Sequence, residues 1–160
     1  MKHTLSVLVK NRAGAVAEAT DVFRRRGISF RSISCAETED FDVSRLVLTV
    51  EDHEAELEAI ADELRAQDVV AMVEDLSRRD FVDRELVLVK VDVTRETTTQ
   101  IMQVCEVFRA SVIGMGQETM TVEMTGDTQK VDGFIRMLRP FGIRSLARTG
   151  VVAMKRGDDD

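Results

Sequence analysis

The chain contains no tryptophan and no tyrosine, a single proline, two cysteines and two histidines in 160 residues. Two cysteines are too few for the disulfide framework of a small secreted domain, so Cys35 and Cys105 read as small core hydrophobes in a reducing compartment. His3 and His53 stand alone, one at a strand start and one at a helix start, and both read as solvent-facing. A metal site needs several Cys, His or carboxylate ligands in one constellation, which this pattern does not offer. No apolar run approaches about 18 residues and no charged-then-apolar leader opens the chain, so a cytoplasmic protein without membrane contact is expected. Basic residues are outnumbered 22 to 29, a formal net charge of −7. That balance repels nucleic acid and anionic membrane, which require a concentrated positive surface.

What is present is the makings of a folded domain: 44% hydrophobic and 32% charged residues. Leu5, Val7 and Val9 alternate in a strand over 3–10, covered mainly on one face. Ala15, Ala19, Val22 and Phe23 then recur at helical spacing over 14–26, ending in Arg24-Arg25-Arg26-Gly27, basic residues followed by the glycine that ends a helix. Segments 28–36 and 43–50 form an antiparallel hairpin across an acidic turn. Leu57, Ile60, Ala61 and Leu64 stripe a second helix, and 69–73 closes a β-α-β-β-α-β order. A polar stretch, 77–83, reads as a linker, after which the order restarts: a strand over 86–93, a helix over 96–110, strands at 111–115 and 119–125, a helix carrying Val131, Phe134, Ile135 and Leu138 before Pro140, and one extended segment over 143–153. The expected fold is α+β, two ferredoxin-like βαββαβ sandwiches with helices on one face of each four-stranded sheet.

No catalytic constellation emerges from the titratable residues. Gly114-Met115-Gly116 lacks both the third glycine of a dinucleotide loop and the Gly-Lys-Ser/Thr of a phosphate loop, and reads as a hairpin turn. Phe23, Phe108 and Phe134 fall on helical stripes rather than on central strands, where an RNA-binding sheet would stack bases. Met102, Met120, Met124 and Met137 suit adaptable packing, with a partner-binding surface the alternative. The basic run Arg24-Arg25-Arg26 reads as a solvated helix end. Asn11 to Gly14 is the one place that reads as a binding corner. There the N–H groups of the first helical turn face outward, Gly14 allows close approach, and Asn11 either caps the helix or offers its amide to a bound polar group. A routine capped strand-to-helix turn is the competing reading. The matching corner of the second half, Asp92-Val93-Thr94-Arg95-Glu96, has no glycine and carries acids, so any anion site belongs to the first half.

Leu5-Ser6-Val7-Leu8-Val9 with Asn11-Arg12-Ala13-Gly14-Ala15, then Arg26-Gly27-Ile28, Ser44-Arg45-Leu46, Arg84-Glu85-Leu86-Val87-Leu88-Val89-Lys90-Val91 and Ala147-Arg148-Thr149-Gly150-Val151 give the chain a specific likeness. Collinear over nearly its full length, it resembles the regulatory small subunit of acetolactate synthase, also called acetohydroxyacid synthase. The resemblance implies an N-terminal ACT domain over 1–76 for effector binding and dimerisation, a linker over 77–83 and a C-terminal small-subunit domain over 84–160. It also implies no catalysis by this chain alone. A separate large catalytic subunit, holding thiamine diphosphate, Mg and FAD, condenses the 2-oxoacids of branched-chain amino acid synthesis; the small subunit activates it and confers feedback inhibition, most often by valine. The implied effector site joins Asn11, Gly14, Ala15 and Val16 of one chain to Ser29 and Phe30 of its neighbour in a homodimer. Ser29 departs from the asparagine usual in the family, and weaker or altered feedback control follows from its single donor. A free-standing amino-acid-sensing ACT protein is the alternative.

Overall fold

Alternation and helical stripes produce the expected elements, though not all of the expected coverage. A computed structural model describes residues 2–51 and 54–158, and the chain divides into two units, Met1–Val82 with Val151–Asp160, and Asp83–Gly150. His53 lies outside the described residues.

In the first unit β1 (Lys2–Lys10), β2 (Phe30–Glu37), β3 (Val43–Glu51) and β4 (Val70–Asp75) form an antiparallel sheet in the order β2-β3-β1-β4. Helices α1 (Ala15–Arg25) and α2 (Glu54–Arg65) lay Ala19, Val22 and Phe23, and Leu57, Ile60 and Leu64, on the face that carries Leu5, Val7, Val9, Leu46, Leu48 and Val50. Each such large side chain contributes about 1.5–3 kcal/mol on burial. His3 shares the phase of Leu5, Val7 and Val9, so a central strand buries it, 4% exposed, with Nδ1 3.4 Å from Asp75 Oδ2; the expected solvent-facing histidine is corrected by the period of two.

The opposite face of this sheet is also covered, contrary to the one-sided strand expected. Val47, Leu76, Val151 and Ala153 form a second cluster there, with Phe81 packed against it. The segment expected as a linker therefore contains structure: a 3-10 turn over Leu76–Arg78 and, from Phe81, the start of β5 (Phe81–Asp92). The final extended segment is two strands, β8 (Ile143–Arg148) and β9 (Val152–Lys155), because Gly150 (φ 80°) breaks it. From Val151 onward the chain packs with the first unit. β9 pairs with β5, and beside it the Arg156 N–H donates to the Asp80 carbonyl at 3.0 Å.

In the second unit β6 (Ser111–Met115), β7 (Thr119–Gly126), β5 and β8 lie in the order β6-β7-β5-β8. Helices α3 (Thr98–Phe108) and α4 (Thr128–Leu138) cover Val87, Val89, Val91, Met120, Val122 and Met124. Phe108 meets Phe134 with ring centroids 5.4 Å apart. Met120 and Met124 are core, whereas Met102 and Met137 are exposed. Gly114 and Met115 belong to β6, so the turn expected at Gly114-Met115-Gly116 falls after them, with the Gly116 N–H donating to Thr119 O at 2.8 Å.

Candidate functional site

The site begins where β1 hands the chain to α1. The Lys10 N–H donates to Val69 O at 2.9 Å and the Asn11 N–H to Asp42 O at 2.8 Å, which anchors the strand end between β4 and the β2–β3 turn. Arg12 and Ala13 then turn the chain, and Gly14 starts the helix at φ 84°, ψ −14°. A Cβ at Gly14 would meet only Glu18 Oε1, at 3.9 Å, so what selects glycine is the left-handed backbone rather than space. No side chain caps this helix, which corrects the reading of Asn11 as its cap. The N–H groups of Val16 and Ala17 in the first turn find no acceptor among the described residues.

Asn11 is committed elsewhere. Its Nδ2 donates to Glu37 Oε1 at 3.2 Å and to Phe41 O at 2.9 Å. Both partners lie on the acidic turn, 26 and 30 residues away, and nothing in the sequence near Asn11 signals them. Arg12 grips Glu18 in a two-pronged pair, both contacts 3.2 Å. Ala15 is buried, so it offers the corner only backbone, and Val16 packs half-buried against the core.

The other nominated residues lie at the far end of α1. There Gly27 N–H donates to Arg24 O at 3.1 Å and Ile28 N–H to Phe23 O at 2.9 Å, the paired bonds of a Schellman end. Ser29 follows, exposed, and Phe30 meets Phe23 in a tilted ring pair with centroids 4.9 Å apart. An 11-residue helix is about 16 Å long, so one chain gathers Asn11, Gly14, Ala15 and Val16 at one end and Ser29 and Phe30 at the other. The basic run between them is paired: Arg24 and Arg25 hold Asp21 at 2.7 and 3.0 Å, and Arg26 reaches Glu63 and Glu56 on α2. The hydrogen bond from Arg24 holds the Asp21 carboxyl below the usual carboxylate range, and Glu63 pushes the Arg26 guanidinium up.

In the matching corner of the second unit Thr94 N–H donates to Thr97 Oγ1 at 2.8 Å and Thr97 N–H to Thr94 Oγ1 at 3.2 Å, which ties the turn before α3. Helix α3 likewise has no side-chain cap, and its Thr99 and Gln100 N–H groups find no acceptor among the described residues, so the two corners differ in the left-handed glycine rather than in an open first turn. Among the described residues no three His, Cys, Asp or Glu side chains are placed to hold a metal ion, and no helix is long and apolar enough to cross a membrane.

Comparison with known proteins identifies the family. The family model "AHAS small subunit-like ACT domain" matches residues 5–71, and "Small subunit of acetolactate synthase" matches 84–157. The acetolactate synthase small subunit of Mycolicibacterium smegmatis is 37% identical over 155 residues, covering 97% of this chain and 91% of its own length. That of Bacillus subtilis is 35% identical over 158 residues, covering 98% and 92%. The crystal structure of the acetolactate synthase small subunit from Thermotoga maritima superposes with a TM-score of 0.87 at 33% identity, covering 99% of each chain. The chain belongs to the acetolactate synthase small-subunit family.

Proposed function

We propose that this chain is a cytoplasmic regulatory subunit: it activates a large acetolactate synthase subunit and makes it sensitive to a branched-chain amino acid, valine foremost. The observation that carries the reading is the uncapped start of α1 at Gly14, whose first-turn N–H groups suit a carboxylate. A second copy supplies Ser29 and Phe30 to complete the pocket. Strand β2, which Phe30 opens, lies at the edge of its sheet, so its outer backbone groups are available to pair with the same strand of a neighbour. Thiamine diphosphate, Mg and FAD belong in this reading to the large subunit, and this chain contributes no reacting group.

Regulation of this kind is a coupling free energy: the effector lowers activity only by binding the inhibited assembly better than the active one. Each methylene is worth about 0.8 kcal/mol, so choice among valine, leucine and isoleucine falls to pocket shape. Affinity capture of the tagged chain from its native lysate tests the partnership. Recovery of a thiamine-dependent large subunit whose activity rises on adding the chain is the expected result. A chain that binds valine yet recruits no such subunit is instead a free-standing amino-acid sensor.

A further inference from the structure

The segment from Thr97 to Gln117 is poor in charge: Glu106 and Arg109 are its only ionic side chains, in a chain that is 32% charged. It folds into α3 and the outer strand β6, so one side of the second unit is built almost without charge. The other outer strands carry ionic residues, Arg31 and Glu37 on β2, Glu74 and Asp75 on β4, Arg144 and Arg148 on β8, a common guard against pairing with other chains. Strand β6, from Ser111 to Met115, carries none. Its bulge between Val112 and Gly114 bends the strand but places neither charge nor proline on it. Met102, Ile113 and Met115 are 50–62% exposed on this side. A groove of about 470 Å³ lies between α3 and β6, with Met102, Cys105, Glu106 and Val112 in its lining.

The two charges point to what covers this side. Arg109 ends α3 in the left-handed conformation, φ 56°, and is the only described residue other than glycine with a positive φ. Glycine would adopt that backbone with less strain, so helix termination does not explain the arginine. Neither Arg109 nor Glu106, one turn earlier, makes an ion pair among the described residues. An acid and a base left unpaired on one apolar side are self-complementary, because a two-fold axis sets each opposite its counterpart in an identical chain. We infer that β6 pairs antiparallel with β6 of a second copy of this chain, covering Met102, Ile113 and Met115 and setting Glu106 of each copy against Arg109 of the other. This edge is not the β2 edge of the proposed effector site, and the inference does not depend on that site.

Sedimentation equilibrium on the full chain tests the pairing. Ile113→Lys gives β6 the charge that the other edges carry, and is expected to remove one association step or weaken it at least about tenfold. Its side chain is exposed, so circular dichroism and the urea midpoint should match wild type. Ile113→Val adds no charge and should keep the association constant within about twofold. Glu106→Arg sets like charges across the axis and weakens association, and adding Arg109→Glu restores it, which a role within one chain would not produce. An association constant unchanged in Ile113→Lys overturns the inference. So does an Ile113→Lys chain that self-associates normally but no longer activates a large subunit, since the side then belongs to that subunit. Ile33→Lys on β2 tests the effector dimer separately: dissociation there, beside an unchanged Ile113→Lys, overturns this inference and leaves the proposed function standing.

Discussion

The Ser34 hydroxyl donates to the Val151 carbonyl at 2.7 Å, joining residues 117 positions apart. The Val151 N–H returns to Ser32 Oγ at 3.3 Å, so two serines on the edge strand β2 grip the backbone of a single C-terminal residue. Val151 and Ala153 then bury their side chains against Val47 and Leu76, and Lys155 reaches Glu74 at 2.8 Å. This segment is why the first sheet is covered on both faces.

Val151→Asp places an unpaired carboxylate in that cluster and is expected to destabilise the chain by about 3 kcal/mol or more. Ser34→Ala removes one hydrogen bond and costs about 1 kcal/mol. Urea unfolding followed by circular dichroism distinguishes them. Equal stability of Val151→Asp and wild type would show that the segment does not pack in solution.

A second buried arrangement holds the second unit. Glu85 is 3% exposed and takes a two-pronged pair from Arg148, which also meets Asp132 at 3.0 Å. The hydrogen bond to Glu85 keeps the Arg148 guanidinium above its ordinary range. Arg148→Ala strands the Glu85 carboxylate and is expected to cost about 2–3 kcal/mol, less than a fully buried pair because the arginine is partly in solvent. The double variant Arg148→Leu with Glu85→Leu should recover part of that loss in the same unfolding measurement.

The two cysteines differ in reactivity. Cys105 is buried as expected, while Cys35 is exposed on the edge strand β2 rather than in the core. Burial nonetheless pushes both thiols above their ordinary value of 9.0. Maleimide at pH 8 should therefore label Cys35 first, and slowly, since the thiolate is the nucleophile. The folded chain keeps thiol protons that the unfolded chain releases above pH 9, so stability falls as pH rises past that point. The urea midpoint should drop between pH 8 and pH 10, and drop less in Cys105→Ala.

Ser29→Asn restores the two-donor amide at the far end of α1. Valine affinity is expected to rise between about twofold and a hundredfold, the range for one hydrogen bond to a neutral or charged group. Calorimetry reads this directly, and an unchanged affinity places Ser29 outside the pocket.

Much of the fold is legible because it is local. The alternation of Leu5, Val7 and Val9 and the stripe of Ala19, Val22 and Phe23 mark their elements from neighbouring residues alone, and Gly27 and Pro140 mark two ends. His3 was legible too, through its phase with Leu5, although isolation in the sequence suggests a surface residue. The contacts that escape reading are long-range: Ser34 with Val151, Arg26 with Glu63, Arg148 with Glu85. In the candidate site, Gly14 and its open helix start follow from the sequence. The orientation of Asn11 does not, since Glu37 and Phe41 reach it only once the β2–β3 turn folds beside β1.

In the proposed function the corner at Gly14 receives the effector that controls a separate catalytic subunit. Acetolactate formation by the reconstituted large and small subunits, titrated with valine, measures it in one experiment when wild type is compared with Gly14→Val. Both chains are expected to activate the large subunit, with valine inhibiting only the wild-type assembly, because a β-branched residue in the left-handed conformation distorts the helix start. Inhibition of both assemblies at the same valine concentration would contradict it.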